Sequence, residues 1–520
     1  MKKFMIITIL ITTILLNFSI ESPNKKDNNN SSKPYIVYNL EKEPKDLTMT
    51  DNYNIREKDL LLALFEGLVE EDKEGKIVPA LCESYEISKD RVEYKFKLKE
   101  NALFSNGRNI TSKDIANFFS EFLSDEENIY RKELYCIFGA ESFAKGETDF
   151  SSVAINIIDD KNFAIRLNSP CDELLEFLCS PVMTIRQYNE VKENYKENYE
   201  YNMYTGPFII ENINKNGEIL ISKNNNYYNK NITNEKILYT FIEDKEMALA
   251  EFEDSSSNID ILVNPPINEH LRLYESGNTE GFLSNNSVYI NFNLNKESCF
   301  NDLNMRKAVA YSISKEYFAQ QISKDSAVAA RAYTLDSNNI FEPYGNKTLA
   351  EKFLKESNYS DENTLIFLYE DNNIERRIAE DLCKDINEDL NLNIKLVSYK
   401  KEDLKEILES KDYDMILNIY YDLQNDYNYL QLWNSNNNPY GFSNESYDNN
   451  LNAIKNEKNE QKIIGLQNNC EKILMENLPS MPIYNLNTVL CRKENIKGLY
   501  ANKYGNVILN DVYVDKTKSK

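Results

Sequence analysis

The chain has 520 residues, 41% of them hydrophobic and 28% charged, a length that calls for two or three domains and a composition that lets the chain fold throughout. Its formal net charge of −24 repels phosphate backbones and anionic lipid, which argues against nucleic acid as a partner. His270 is the only histidine, so zinc sites built on several histidines and Ser-His-Asp chemistry have little to work with, and its polar context beside Glu269 predicts a surface position.

In chain order, Lys2 and Lys3 precede an apolar run over 4–16, the pattern of a secretory signal, so export is expected. Residues 1–20 are read as a signal peptide or signal anchor, and the polar stretch 21–33, with Asn28, Asn29, Asn30, Ser31 and Ser32, as a flexible linker. No later stretch approaches the ~20 apolar residues needed to span a bilayer. Eight cysteines follow without a CxxC motif or tight clustering; most read as small buried hydrophobes, and a single disulfide is compatible with the spacing but not assignable from it.

Residues 35–40, YIVYNL, alternate as a strand, a loop over 43–55 follows, and Leu60, Leu61, Leu64 and Phe65 mark a helix. Further on, TLIFLY over 364–369 predicts a strand. Ile374, Ile378, Leu382 and Ile386 form one stripe of a helix, Ile394 and Leu396 alternate in a second strand, and a short helix over 402–409 leads into a third strand over 413–421. Strands separated by helices of this length predict parallel βαβ units, and open parallel sheets bind ligands just outside the carboxyl ends of their strands. Asp422 is predicted to stand at such an end. A surface acid in an acidic chain is the plainer reading of the same residue.

Several segments, in order, resemble the family 5 solute-binding proteins of ABC importers, the oligopeptide and dipeptide binders. Glu43, Pro44 and Leu47 resemble a family loop of the form EPxxLDP; Phe65, Glu66, Gly67 and Leu68 a FEGL turn; Gly75, Pro79, Leu81 and Ser84, then Phe96 and Leu98, the segments after it; and Ser105, Asn106, Gly107, Thr111 and Asp114 a W-S-N-G-x-x-V-T-A-x-D pattern. TGPF from Thr205, the FN strand with the helix carrying Arg306, and the closing positions Gly441, Asn444, Tyr447, Asp448, Pro479, Pro482, Tyr484, Lys497, Gly498 and Asn502 continue the series. Departures are Thr48 and Met49 for the aspartate and proline of the first loop, Tyr85, Phe104 and Tyr228 for three tryptophans, and Ser19 where a lipoprotein carries its cysteine. Most of these residues read as architecture: glycines for turns or close approach, Thr111 or Ser112 as a helix cap, Arg306 as an anchor.

The resemblance implies an α/β, two-lobed periplasmic-binding-protein-like fold of type II, with an extra subdomain and hinge-bending closure. Its implied boundaries are 34–64, 195–283 and 489–520 for the core of the first lobe, 65–194 for the extra subdomain and 284–488 for the second lobe, with hinge crossings near Leu283 and Thr488. It implies a binding subunit rather than an enzyme, without cofactor or metal, a monomer that takes a peptide ligand and delivers it to permease subunits at the outer face of the cytoplasmic membrane. The missing cysteine leaves an uncleaved anchor or a released protein.

The family's ligand-ammonium aspartate follows the same strand, which makes Asp422 the counter-ion, since an unpaired buried charge costs several kcal/mol. Asn54 and Ile55 are expected to face the cleft from the first lobe, Asn293 of the FN strand to line it, and Tyr420, Tyr421 and Trp433 to offer aromatic walls. Without an arginine between Arg377 and Arg492, a ligand carboxylate would meet Lys401, Lys405 or Lys411. Two alternatives stand beside this reading: the same fold binding a nickel chelate, haem, an opine or an oligosaccharide, and a secreted hydrolase using Asp422 with Asp426.

Overall fold

The computed structural model describes residues 35–517, apart from 51–54, 172, 194, 255–258, 296, 317–325, 335–336, 338, 340–344, 361–363, 421–425 and 458. Among them, eleven strands form one sheet: β1 (Ile36–Asn39), β2 (Phe208–Ile213), β3 (Ile219–Lys223), β4 (Lys236–Thr240), β5 (Ile261–Val263), β6 (Thr279–Phe292), β7 (Ala327–Ala329), β8 (Leu365–Glu370), β9 (Ile394–Tyr399), β10 (Met415–Tyr420) and β11 (Ser480–Arg492). The order across it is β9-β8-β10-β6-β11-β5-β1-β4-β3-β2, with β7 also paired to β11.

Two long strands, β6 and β11, form an antiparallel ribbon from Thr279 opposite Cys491 to Asn291 opposite Ser480. One end belongs to one half of the sheet, because Leu490 to Arg492 pair with β5. The other end belongs to the second half, where Ser287 to Phe292 pair with β10 and Tyr484 to Leu486 with β7. Between these ends the register shifts at Leu283/Asn286 and again at Val288/Tyr289. Irregularities of this kind bend and twist a ribbon locally. The expected crossings near Leu283 and Thr488 lie side by side, with Phe282 opposite Thr488.

The strands expected over 364–369, 394–396 and 413–421 are β8, β9 and β10, and β8 runs parallel to both others. The stripe of Ile374, Ile378, Leu382 and Ile386 lies on helix Asn373–Leu390. Ile378, Leu382 and Ile386 are fully buried, which contributes about 1.5–3 kcal/mol apiece. Along β10, Met415 and Leu417 join the cluster that contains this helix, whereas Ile416 joins another with Tyr413 and Trp433. Both faces are therefore covered, which is why the strand is a continuous apolar run rather than an alternating one.

A separate four-stranded antiparallel sheet runs Cys82–Ile87, Glu93–Leu98, Asn162–Arg166, Ile155–Ile157 in spatial order. Helix Ser112–Ser124 contributes Ile115, Phe118, Phe119 and Phe122 to the same core. It starts at a capping box: the Thr111 hydroxyl accepts from Asp114 N at 3.4 Å, and the Asp114 carboxylate accepts from Thr111 N at 2.8 Å. Gly206 is required by crowding, since a Cβ there would meet Phe65 N at 2.6 Å and Leu64 C at 2.7 Å.

Among the described residues, no helix is long and apolar enough to cross a membrane.

Candidate functional site

The bend of the ribbon is where chain segments from both halves of the sheet meet. Gly505 marks the contact from one side. Its φ is +78°, and a Cβ built there would lie 2.7 Å from Thr488 Oγ1, 3.6 Å from Ile55 Cδ1 and 3.7 Å from Asn286 Nδ2. Asn286 precedes Ser287, whose partner across the sheet is Tyr420 at the end of β10. Ile55 and Tyr420 thus flank the same two or three residues of β6, although 365 positions separate them in sequence. The Ser287 hydroxyl donates to Asn485 Oδ1 at 3.0 Å, and Ser284 Oγ donates to Leu486 O, so the ribbon's small polar side chains close on themselves.

On the Ile55 side the backbone is fixed by a buried ion pair. Arg56 lies 3.1 Å from the Asp59 carboxylate, with 2% and 0% of the two side chains exposed. Asp59 also accepts from Tyr38 OH at 2.5 Å, Asn506 Nδ2 at 3.0 Å and Val507 N at 3.0 Å. Burial pushes the Asp59 carboxyl above its ordinary range even with Arg56 beside it. Arg56 Nη2 donates to Gly505 O, and Asn506 Nδ2 reaches Ile55 O at 3.1 Å. Helix Glu57–Leu64, Ile55 and the strand at Val507 are thereby tied together.

The preceding loop is held as firmly. Arg186, 2% exposed, donates to Thr48 O at 2.8 Å, Thr184 O at 2.5 Å and Val182 O at 3.1 Å. Burial pulls its guanidinium down to about 10. Thr50 Oγ1 lies 3.1 Å from Tyr188 OH, which donates to Asp125 at 2.7 Å. Asp46 accepts from Thr48 N at 2.8 Å and Met49 N at 3.2 Å, so the two departures from the family loop sit in a side-chain-capped turn.

On the other side, Tyr420 ends a half-buried polar cluster on the same face of the sheet as Asn291 and Asn418. Asn291 Nδ2 donates to Asn418 Oδ1 at 2.7 Å and to Tyr420 OH at 3.2 Å; Tyr440 OH donates to Asn418 Oδ1 at 3.1 Å and lies 3.5 Å from Tyr420 OH. The Tyr420 ring meets Tyr289 and Tyr429 edge-on, at centroid distances of 5.5 and 5.9 Å. Burial raises the Tyr420 hydroxyl, so it stays a neutral donor and acceptor. Asn291 Oδ1 is buried without a hydrogen-bond partner among the described residues.

The residues singled out from the sequence divide into three groups. Ile55 and Tyr420 each lie beside the ribbon, Ile55 next to Gly505 and Tyr420 opposite Ser287. Asn293 and Trp433 lie inside the packing: the Asn293 amide donates to Lys411 O at 3.0 Å and Tyr413 O at 2.9 Å, and Trp433 stacks on Tyr440 at 5.5 Å with 0% exposure. Asn54, Tyr421 and Asp422 lie outside the described residues. Arg306 donates to Asn477 O and Phe300 O from a buried position, which makes it an anchor.

Asn291, Asn418 and Tyr440 join the Tyr420 cluster without a motif that marks them in the sequence. Asn418 and Tyr420 alternate with Leu417 and Ile419, and that period of two could have drawn attention to them.

His270 is a correction. It is 8% exposed rather than on the surface. Nε2 donates to Pro265 O at 2.8 Å, which leaves Nδ1 to accept from the Ser326 hydroxyl. Ser326 O in turn accepts from Asn487 N of the ribbon at 2.9 Å. Burial, with Lys245 nearby, pulls the imidazole down to about 4.

Comparison with known proteins adds the family. The model for "Bacterial extracellular solute-binding proteins, family 5 Middle" matches residues 76–441. The chain is 24% identical over 502 residues to the dipeptide-binding protein DppE of Bacillus subtilis, with 92% of each chain covered. It is also 24% identical over 547 residues to the oligopeptide-binding protein OppA of the same organism, covering 98% of this chain and 99% of that one. Among solved structures, the unliganded open form of the periplasmic murein tripeptide-binding protein MppA superposes with a TM-score of 0.77 at 21% identity, covering 93% of this chain and 98% of that one.

Proposed function

Because the chain belongs to the family 5 bacterial extracellular solute-binding proteins, we propose that it is the extracytoplasmic substrate-binding subunit of an ABC importer, which holds an extended oligopeptide between two lobes and delivers it to a membrane permease. The observation that carries this reading is the full-length similarity to relatives named for dipeptide and oligopeptide binding, DppE and OppA.

In this reading the lobes are 34–64 with 195–283 and 489–520, the extra subdomain is 65–194, and the second lobe is 284–488. The distribution of buried clusters supports that division. One cluster runs from Leu68 to Tyr188; another draws on Ile36 to Phe65, Val191 to Val263 and Leu490 to Val512; two more lie between Val288 and Tyr484. The ribbon β6/β11 links the lobes, and its irregular stretch beside Asn286 is the place for bending. Closure needs differential binding, since a ligand moves the lobes only by favouring the closed state.

A peptide backbone leaving water must find hydrogen bonds, so the cleft has to supply main-chain partners, while side-chain pockets stay roomy and wet. The ligand's ammonium is assigned to Asp422, which follows β10 by two residues, with Tyr420, Tyr421, Asn54 and Ile55 as its neighbours in the cleft. The protein works as a monomer at the outer face of the cytoplasmic membrane, next to its permease.

Native mass spectrometry of the protein purified from its host tests the ligand class: peptides in the bound mass support the reading, and a chelate, haem, opine or sugar overturns it. The aspartate is tested by affinity: Asp422→Asn is expected to weaken peptides with a free N-terminus at least tenfold and acetylated ones little. Equal loss for both would remove Asp422 from the ammonium site.

A further inference from the structure

We propose that Cys136 and Cys171 form a redox-active pair that closes to an intrachain disulfide when the exported chain meets a disulfide oxidant. Two backbone segments bring them together. Ile137 pairs antiparallel with Leu167, Asn168 N donates to Cys136 O at 2.9 Å, and the Asn168 side chain donates to Tyr135 O at 2.9 Å. Three residues on, Cys171 is held where Tyr94 OH donates to its carbonyl at 3.2 Å and Leu174 N at 3.4 Å. The Cys136 thiol is close enough to Cys171 to disfavour its ionisation.

Both are partly exposed, as is Cys179, whereas Cys82, Cys299, Cys383, Cys470 and Cys491 are buried. Accessible paired thiols are the ones an oxidising compartment reaches. The local chemistry also divides the roles. Cys136 and burial together push the Cys171 thiol up, while Glu173 accepts its hydrogen bond at 3.3 Å. Cys136, whose own thiol donates to Glu133 O at 3.6 Å, is therefore the first to react.

The exchange balances as follows. The Cys136 thiolate attacks a low-molecular-weight or protein disulfide, forming a mixed disulfide and releasing one thiol. Cys171 passes its proton to the Glu173 carboxylate, and its sulfur attacks Cys136 Sγ, expelling the second thiol. Two cysteine thiols lose two electrons in total, and the external disulfide gains them. The loop so closed, roughly 35 residues, is long enough for its closure to constrain the unfolded chain substantially. It contains strands Ile155–Ile157 and Asn162–Arg166, so the link would staple the edge of the small sheet.

The test uses the full chain, which is reduced, exposed to glutathione disulfide, alkylated without reduction, digested and mapped by mass spectrometry. The expected result is a linked peptide pair carrying Cys136 and Cys171. Titratable thiols in denaturant should fall by two from the eight of the sequence, and the melting temperature should rise by several degrees, reversed by dithiothreitol. Cys171→Ser should lose the linked pair and the shift while Cys136 still accepts glutathione. Eight free thiols after oxidation, a stable glutathione adduct on Cys136 in the parent chain, or a link to any other cysteine would overturn the pair. A linked pair with an unchanged or lower melting temperature would overturn the staple.

Discussion

At the scale of single residues, the most informative side chains are ionisable groups placed where water does not reach. Arg56 and Asp59 form a buried pair whose hydrogen bonds hold Ile55, Gly505 and Val507 in place. Removing one partner leaves the other charged and unpaired, so Arg56→Ala is expected to cost about 3–5 kcal/mol, read as a drop in the urea midpoint. His270 makes a different prediction. Its folded value of about 4 lies below the ordinary value near 6.5, so the folded state keeps it neutral. Its contribution to stability is present above pH 6.5 and is lost as the pH falls toward 4, about 3 kcal/mol in all. Burial raises Glu66 and Glu375 to about 8, which acts with the opposite sign: their contributions are present at acidic pH and fade as the pH rises from 4.5 to 8. Comparing His270→Gln with the parent across pH 4 to 7 isolates the histidine. The variant should show a shallower acid decline, and parallel curves would disprove the assignment.

At the scale of elements, local sequence rules decide where helices start and where strands must bend. Helix Ser112–Ser124 begins at the reciprocal Thr111 and Asp114 bonds, and Arg108 pairs with Asp114 at 2.8 Å outside them. Thr111→Ala should cost about 1 kcal/mol by urea unfolding, with no change in ligand affinity, because the box is structural. Gly505 is an element-scale position of another kind. It joins the turn before Val507 to the ribbon, and a side chain there would combine left-handed backbone with a contact of 2.7 Å to Thr488 Oγ1. Gly505→Ala is expected to cost about 1–3 kcal/mol and, by moving Ile55 or Thr488, to weaken ligand as well. Isothermal titration alongside urea unfolding separates these from a purely structural loss.

At the scale of the whole molecule, the β6/β11 ribbon is the feature on which everything turns. Helices and sheets on either side have their own buried clusters, so the closure proposed above would leave the internal packing of each intact. Small-angle scattering should therefore show a lower radius of gyration when a bound peptide is added to ligand-free protein, without a change in secondary structure. An unchanged radius at saturating peptide would contradict closure.

Periodicity alone made three strands of the second half of the sheet legible: β8, β9, β10 and the helix Asn373–Leu390 follow from apolar runs and one stripe, because both faces of that sheet are covered. The helix start at Thr111 or Ser112 was legible too, and the structure settles on Thr111 with Asp114 closing the box. Neither the interior position of His270 nor the spending of the Asn293 amide on Lys411 and Tyr413 was legible, since a polar side chain is buried only when distant segments supply its partners. The same holds for the approach of Ile55 to the ribbon that carries Tyr420's partner. The sequence by itself determined the first strand, β8, β9, β10 and the helices between them, because those depend on neighbours within a few residues. Tertiary structure alone decided which polar groups meet across hundreds of residues at the bend of β6, because hydrogen bonds and ion pairs between remote segments leave no local pattern.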